Sequence, residues 1–132
     1  MTLELFKYLK ESKWDKFKNY IDENVDEDYN IYDNNYNYLL HYIINYNKYD
    51  LLNFFLEKIE TIKLDILDTD ERTILYVPIK YNYMNIIKLL LKISEKIIGI
   101  PIIDLRDKNG YTALHYTIIF KRNTYEININ HF

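Results

Sequence analysis

The sequence contains no cysteine, and none of its uncharged apolar runs approaches the roughly 18 residues that a membrane span requires. Without thiols the chain can form neither disulfide bonds nor thiolate metal sites, which fits a reducing compartment. The N-terminal segment carries charges every few residues and lacks the apolar stretch of a signal peptide. We therefore expect an intracellular protein with no membrane partner, in the cytoplasm or, for an effector, in the host cytoplasm or nucleus.

Glycine and histidine are also scarce, with two glycines and three histidines in the whole chain. A phosphate-cradling loop of the G-x-x-x-x-G-K type cannot be built, and neither G-x-S-x-G nor H-E-x-x-H occurs. The 20 carboxylates will place some pair close together by chance, so such a pair does not by itself indicate a glycosidase. The sequence predicts a protein that is not an enzyme, with no catalytic residues, no metal site and no cofactor.

Basic charge is not in excess, because 17 Lys and Arg stand against 20 Asp and Glu, for a formal net charge of −3. Nucleic-acid affinity rests largely on clustered Lys and Arg, so we expect no nucleic-acid partner. An acidic run at residues 22–28 could steer a basic partner, although a charge cluster of this size is typical of a solvated loop.

What the chain does have is globular composition and an internal repeat. Hydrophobic residues make up 48% of it and charged residues 28%, which predicts a single folded domain over residues 1–132. Three segments align, each with a leucine seven positions after an aspartate: Asp33–His41, Asp68–Tyr76 and Asp107–His115. The leucines are Leu40, Leu75 and Leu114, spaced 35 and 39 residues apart. Self-similarity at such a period indicates a repeat architecture, and we expect these leucines to be buried in equivalent sites.

Apolar stripes with helical spacing lie about twelve positions after the first two of these leucines. They comprise Leu51, Leu52, Phe55 and Leu56 in one unit and Ile86, Ile87, Leu90 and Leu91 in the next. The N-terminal segment follows the same offset, with Leu5 and Phe17 twelve positions apart. The sequence therefore predicts that each unit consists of a tight turn, a short helix, a short connection and a second helix. The N-terminal unit is a degenerate version of this repeat.

The segment Asp107-x-x-Gly110-x-Thr112-Ala113-Leu114-His115 resembles the ankyrin-repeat consensus D-x-x-G-x-T-P-L-H-x-A-A. The resemblance extends over roughly residues 1 to 123 and implies an all-α solenoid of stacked helix pairs. It has about three repeats and a degenerate N-terminal capping repeat, with units at about 1–28, 33–60, 68–96 and 107–132.

The turns of such a unit need side chains that satisfy the backbone. Asp33, Asp68 and Asp107 can close each turn by accepting backbone N–H bonds. Asn47 and Asn82 stand where the family has a second glycine, and Asn tolerates the left-handed conformation that this position requires.

Thr73 and Thr112 are expected to cap the first helix of their units by accepting backbone N–H bonds. His41 and His115 share one repeat position, at which the family's histidine hydrogen-bonds to the turn backbone. We therefore assign these two histidines a structural role and not a metal-binding or catalytic one.

Three features depart from the family pattern. Pro78 falls about one turn into a first helix, where it should remove an N–H bond and kink the helix. The longer spacing before the last unit implies an insertion near residues 94–103, in an extended or looped bulge. Residues 125–130 alternate with period two, so the last segment is either helix or strand-like tail.

The resemblance also implies a function, because the concave face of a solenoid built from turn tips and first helices commonly docks a partner protein. The turn positions that would supply contacts are Asn34, Asn35, Asn37, Thr69, Asp70, Arg72, Lys108, Asn109 and Tyr111. The positions at the end of the first helix are Asn45, Tyr46, Lys80, Tyr81, Ile119 and Phe120. Aromatic residues occupy the last of these positions in all three units, as Tyr46, Tyr81 and Phe120.

Several protein-binding roles stay open. The first is an intracellular, monomeric protein that sequesters or blocks a partner, as IκB-type ankyrin inhibitors do. The abundance of Ile, Asn and Lys, typical of an AT-rich genome, makes a viral or microbial effector one subclass. The alternatives are an immunity protein that neutralises a toxin and a self-associating structural subunit.

Overall fold

A computed structural model describes residues 2–99 and 101–122 of the protein. Over these ranges the chain forms α1 (Thr2–Lys10), α2 (Trp14–Glu23), α3 (Leu39–Asn45), α4 (Tyr49–Lys58), α5 (Tyr76–Lys80), α6 (Met84–Ser94), α7 (Ala113–Ile119) and a 3₁₀ helix (Ile102–Asp104). The described residues contain no strand beyond one isolated antiparallel bridge between Tyr32 and Tyr38. The predicted all-α fold is confirmed.

The chain divides into two compact units, Met1–Lys63 and Leu64–Phe132, which we call the N-terminal and C-terminal units. In the N-terminal unit α1 pairs with α2 and α3 with α4, and the contacts α1–α3 and α2–α4 join the two pairs. In the C-terminal unit α5 contacts α6 and α7, and the 3₁₀ helix contacts both α6 and α7. Each unit thus contains two successive repeats.

The predicted apolar stripes form the core of each unit. All four stripe residues of α4 and all four of α6 are buried. In the N-terminal unit Phe17 of α2 packs against Phe55 of α4, with ring centroids 5.8 Å apart. Burying a side chain of this size contributes about 1.5–3 kcal/mol, so these stripes hold helices too short to be stable alone.

Two of the three leucines that were predicted to be buried are buried, and so is Leu5 at the equivalent position of the first repeat. Leu5, Leu40 and Leu75 are at most 2% exposed, but Leu114 is 40% exposed, so its predicted burial is wrong. The physical reason is that no second helix packs on α7 within the described residues. Second helices follow α3 and α5 and pack on them, whereas no second helix follows α7 within the described residues.

The connection between first and second helices repeats its backbone geometry throughout the chain. Asn47 and Asn82 have φ of 55° and 57°, which confirms the predicted left-handed conformation. Ser12 and Lys121 occupy the same repeat position with φ of 58° and 54°. The sequence of the turn therefore varies while its conformation does not.

The middle repeat differs from prediction at its first helix. Helix α5 begins at Tyr76, so Pro78 is its third residue and lies in the first turn, where backbone N–H groups have no intrahelical partner. The proline therefore costs no helix hydrogen bond. We expected it to kink the helix, but instead the helix is short and begins only two residues before the proline. Thr73 lies three positions before the helix and does not cap it, contrary to prediction, whereas Thr112 directly precedes α7 at the expected capping position.

The predicted insertion is a loop, as expected. Turns and bends occupy residues 95–99, and the 3₁₀ helix follows. The backbone N–H of Ile102 donates a 3.0 Å hydrogen bond to the buried Oγ of Ser94, which ties the return of the loop to the end of α6. At the loop tip Ile98 is fully exposed. The alternating segment 125–130 lies outside the described residues.

Candidate functional site

Three turns with the same hydrogen bonds precede the first helices, and we call residues 33–38, 68–73 and 107–112 the turn tips. In each, Oδ1 of the leading aspartate accepts two backbone N–H bonds of 2.8–3.0 Å, from the second and fourth residues after it. The predicted role of Asp33, Asp68 and Asp107 is confirmed. The third residue after each aspartate adopts positive φ, and it is Tyr36, Glu71 or Gly110.

The second carboxylate oxygen of each aspartate is held in two different ways. The Tyr42 hydroxyl donates to Asp33, and the Tyr116 hydroxyl donates to Asp107 at 2.8 Å. Position 77 is valine in the middle repeat, and there Nε of Arg72 donates to Asp68 at 2.9 Å. All three turn tips are therefore rigid before any partner binds.

These hydrogen bonds also shift the pKa values of the aspartates and tyrosines that close the first and third turn tips. Burial opposes the charge on Asp33 and Asp107, but the backbone and tyrosine hydrogen bonds outweigh it and lower the pKa of both carboxyls. Burial and the neighbouring carboxylate raise the pKa of Tyr42 and of Tyr116 to about 12. Both aspartates are thus anionic and both tyrosines neutral near pH 7, which is the pairing that a tyrosine–carboxylate hydrogen bond needs.

The two histidines of the repeat act on the turn backbone, as predicted. Nδ1 of His41 accepts the backbone N–H of Tyr38 at 3.2 Å, and Nδ1 of His115 accepts that of Thr112 at 2.9 Å. Each imidazole thereby joins the last residue of a turn tip to the first turn of the following helix. Within the part of the chain that the structure describes, no group of His, Asp and Glu could hold a metal ion.

An aromatic side chain ends each of the three first helices after the N-terminal one. Tyr46, Tyr81 and Phe120 occupy the C-terminal capping positions of α3, α5 and α7. Tyr46, in the N-terminal unit, is 40% exposed and meets Trp14 edge-to-face at 5.7 Å.

In the C-terminal unit the other two rings have different surroundings. Tyr81 is 56% exposed and stacks on Tyr83 at 5.8 Å. Phe120 is half-buried and meets Tyr76 edge-to-face at 5.4 Å. Tyr81 is therefore the most accessible of the three aromatic side chains that end first helices.

Cationic side chains lie against aromatic rings in both units, and one of these rings, that of Tyr81, ends a first helix. In the N-terminal unit the Lys48 ammonium lies 5.0 Å from the Trp14 ring centroid. In the C-terminal unit the Arg72 guanidinium lies 3.8 Å from the Tyr76 ring centroid, and the Lys80 ammonium lies 5.4 Å from that of Tyr81. At the end of α5 the Tyr81 ring and the Lys80 ammonium thus combine flat apolar area with positive charge.

None of the fifteen predicted contact residues is buried. The exposed ones are Asn34, Asn35, Asn45, Tyr46, Thr69, Asp70, Tyr81, Lys108, Asn109, Tyr111 and Ile119, and the half-buried ones are Asn37, Arg72, Lys80 and Phe120. In each repeat these residues lie in two places, the turn tip before the first helix and the end of that helix. Arg72 is the most constrained, because it bonds to Asp68 and also to Asp70 at 3.1 Å.

The N-terminal unit adds a cavity of about 370 Å³ that the sequence prediction did not include. Its lining combines the predicted Asn34 and Asn35 with residues of α1, among them Lys10, and with Glu11, which directly follows α1. Lys10 and Glu11 hold the repeat positions of Asn45 and Tyr46. Applying the contact rule to the degenerate first repeat would therefore have found them. The exposed Tyr36 was also missed, because the family has glycine at its position.

Comparisons with known proteins agree with this geometry. A family model described as ankyrin repeats (3 copies) matches residues 2–100 and 40–127. An ankyrin repeat protein of Acanthamoeba polyphaga mimivirus is 34% identical over 126 residues, which cover 94% of this chain and 16% of the viral protein. The chain thus spans about a sixth of the length of that relative. No described helix is long and apolar enough to cross a membrane.

Proposed function

Because this chain belongs to the ankyrin-repeat family, we propose that it binds a partner protein through its turn tips and first-helix ends, and thereby sequesters or blocks that partner. Ankyrin repeats are protein–protein interaction modules, and the family's fold is a non-enzymatic one. Binding is then the whole activity of this region. The viral origin of one relative supports a partner from a host cell over a cognate toxin.

The observation that carries the proposal is the aromatic residue at the end of the first helices α3, α5 and α7. Tyrosine offers a large, rigid and amphipathic contact at a low cost in conformational entropy, and tyrosines are enriched among the residues that dominate binding energy. Tyr81 is more than half exposed although it stacks on Tyr83. Its ring is thus held in place by the fold and is available to a partner.

The rigidity of the turn tips supports the same function. Every turn is closed by its aspartate before any partner arrives, so docking costs little ordering of the backbone. Apart from Tyr36 and Tyr111, the exposed side chains on these turns are amides, hydroxyls and charged groups, and they would form the polar rim around the aromatic contacts.

The proposal is tested by affinity capture from an Acanthamoeba lysate with identification by mass spectrometry, followed by titration of the captured protein. Tyr81→Ala should weaken binding at least tenfold, which corresponds to about 1.4 kcal/mol, and should leave the melting temperature nearly unchanged. The matched control is Ile98→Ala, which removes a fully exposed apolar side chain of the same unit outside the proposed site.

Two results would contradict the proposal. One is a captured partner that binds the Tyr81→Ala variant as tightly as the unaltered chain. The other is unfolding of that variant, which would show that Tyr81 is a packing residue. Equal losses from Tyr81→Ala and Ile98→Ala would place the contact surface elsewhere on the C-terminal unit.

A further inference from the structure

The cavity of the N-terminal unit places side chains of both charges around a volume of about 370 Å³. Its lining includes two lysines and two carboxylates, which are Lys7, Lys10, Glu11 and Asp33. A charged group that is already paired within the chain contributes little to binding a ligand. What the cavity can bind therefore depends on which of these charges the fold has already paired.

Both carboxylates of the cavity are paired within the unit. Asp33 accepts two backbone N–H bonds on one oxygen and the Tyr42 hydroxyl on the other. The Lys13 ammonium donates to Glu11 at 2.9 Å, and this bond, with the charges of neighbouring lysines, lowers the pKa of the Glu11 carboxyl. Neither carboxylate therefore lacks a donor that a partner would have to supply.

The two lysines of the cavity are paired less completely. The Lys7 ammonium approaches Glu11 only to 4.0 Å, at the limit of an ion pair. The Lys10 ammonium lies 5.6 Å from the Tyr42 ring centroid, and its charge helps to lower the pKa of Asp33. Within the described residues, however, no carboxylate lies within ion-pair distance of Lys10. The charge that the cavity leaves unpaired is therefore positive.

Amide and apolar side chains complete the lining. Asn34 and Asn35 are exposed, and neither side chain makes a hydrogen bond within the part of the chain that the structure describes. Their NH₂ groups can therefore donate to an anion. Leu3, which is 68% exposed, and Phe6 add apolar area. The cavity thus combines positive charge, amide donors and an apolar wall.

These donors favour a carboxylate over a phosphate. Phosphate sites typically use backbone N–H groups at a turn or the forked guanidinium of arginine. In this turn tip Asp33 already accepts the backbone N–H groups of Asn35 and Asn37, and the described residues that line the cavity include no arginine. The volume is near the lower end of the range for ligand sites, which suits one side chain and its neighbour.

We propose that this cavity binds a glutamate or aspartate side chain of a partner protein, with Lys7 and Lys10 pairing with the carboxylate and Leu3 contacting an adjacent apolar residue. The partner segment is thus both acidic and apolar. The proposal rests on the proposed function, because it extends the same docking face into the first repeat, where Lys10 takes the position of Asn45. It adds the chemical class of the segment that docks there.

The test titrates the isotope-labelled full chain with a peptide that holds one glutamate between two leucines, and it follows the amide signals by NMR. We expect the signals of Asn34 and Asn35 to shift until they saturate. The same peptide with glutamine in place of glutamate should bind about tenfold more weakly, because it loses the charge that pairs with Lys7 and Lys10. Added salt should weaken the glutamate peptide more than the glutamine peptide.

Substitutions in the chain test the same contact from the other side. Lys10→Met removes the charge and keeps the length of the side chain, so it should weaken peptide binding about tenfold. Lys10→Arg keeps the charge and should retain most of the affinity. The matched control is Lys63→Met, which changes an exposed lysine of the same unit that does not line the cavity. It should leave binding unchanged, and all three variants should melt close to the temperature of the unaltered chain.

Three outcomes would overturn the proposal. The first is a titration in which the signals of Asn34 and Asn35 do not shift. The second is an equal loss of affinity in Lys10→Met and Lys63→Met, which would show general charge attraction and no defined site. The third is displacement of the peptide by an equal concentration of free glutamate or inorganic phosphate, which would make a small anion the occupant.

A failure of this proposal can be distinguished from a failure of the proposed function. Tyr81 lies in the C-terminal unit and does not line the cavity. The peptide should therefore bind the Tyr81→Ala variant as tightly as the unaltered chain. Titration of the Lys10 variants with the peptide tests the cavity, whereas titration of Tyr81→Ala with the captured partner tests the proposed function.

Discussion

The N-terminal unit contains two complete helix pairs, whereas the described part of the C-terminal unit contains one pair with a shortened first helix and one single helix. Both units nevertheless form the same turns, with an aspartate that accepts two backbone N–H bonds and a left-handed residue before each second helix. The comparison shows that the turns define this repeat. The length of the first helix, the residue that caps it and the burial of the repeat leucine differ from one repeat to the next.

The largest expected effect compares the buried leucine of α5 with the exposed leucine of α7. Leu75→Ala removes a side chain that is 1% exposed and should lower the free energy of unfolding by about 2–5 kcal/mol. Leu114→Ala, at the same repeat position but 40% exposed, should cost less than about 1 kcal/mol. Urea denaturation followed by circular dichroism measures both, and equal losses would contradict the difference in packing between these two repeats.

An intermediate effect compares the two tyrosines that hold turn aspartates. Tyr116→Phe removes the hydroxyl that donates to Asp107 and accepts the backbone N–H of Thr73 at 3.3 Å. We expect a loss of about 1.5–3 kcal/mol, because hydrogen bonds to charged groups are among the stronger ones. Tyr42→Phe, in the less buried site of the N-terminal unit, should cost about 1 kcal/mol. A larger loss of unfolding free energy for Tyr42→Phe than for Tyr116→Phe would contradict this prediction.

The pH dependence of the same variants provides a control for the mechanism. The pKa of Asp107 is lower in the folded chain than in the unfolded one, so its stabilising contribution is complete above the unfolded value of about 3.9 and is lost as pH falls through the folded value. The difference between Tyr116→Phe and the unaltered chain should therefore shrink below about pH 4. A difference that stays constant on acidification would show that the hydrogen bond from the Thr73 backbone N–H to the hydroxyl, and not the bond from the hydroxyl to Asp107, carries the effect.

The smallest expected effect concerns the shortened helix α5. Pro78 lies in the first turn, where its missing N–H has no intrahelical partner to lose. Pro78→Ala should therefore change the free energy of unfolding by less than about 1 kcal/mol, since any gain in helix length is offset by greater freedom of the unfolded chain. Thermal unfolding monitored by circular dichroism measures it, with Leu75→Ala as a reference for a disruptive change. A stabilisation near 3 kcal/mol would indicate that the proline strains α5.

The sequence was sufficient to predict features that depend on a few neighbouring residues. The aspartate turns and the left-handed Asn47 and Asn82 follow from local hydrogen bonding and backbone sterics, so the repeat alignment located them. The apolar stripe of α4 could likewise be predicted from the spacing of its residues in the sequence. These local features together fix the fold.

Features that depend on distant residues were not predictable from the pattern. The exposure of Leu114 depends on whether a second helix covers it, and not on the leucine itself. The start of α5 at Tyr76 depends on how the chain accommodates Pro78. The cavity of the N-terminal unit, which Lys10 helps to line, was missed because the first repeat lacks the turn motif that marks the others.

The reach of the longest side-chain hydrogen bonds has a consequence for how fast the protein folds. In the N-terminal unit the Asn30 side chain bonds to the Thr61 carbonyl and the Lys63 N–H, 31 and 33 residues along the chain. In the C-terminal unit Arg122 bonds to the carbonyl of Ile79, 43 residues away. Each of these bonds joins one repeat to the next. Because a loop of about one repeat must close before each of these bonds can form, the entropic cost of that closure makes them slower to form than the contacts within one helix pair.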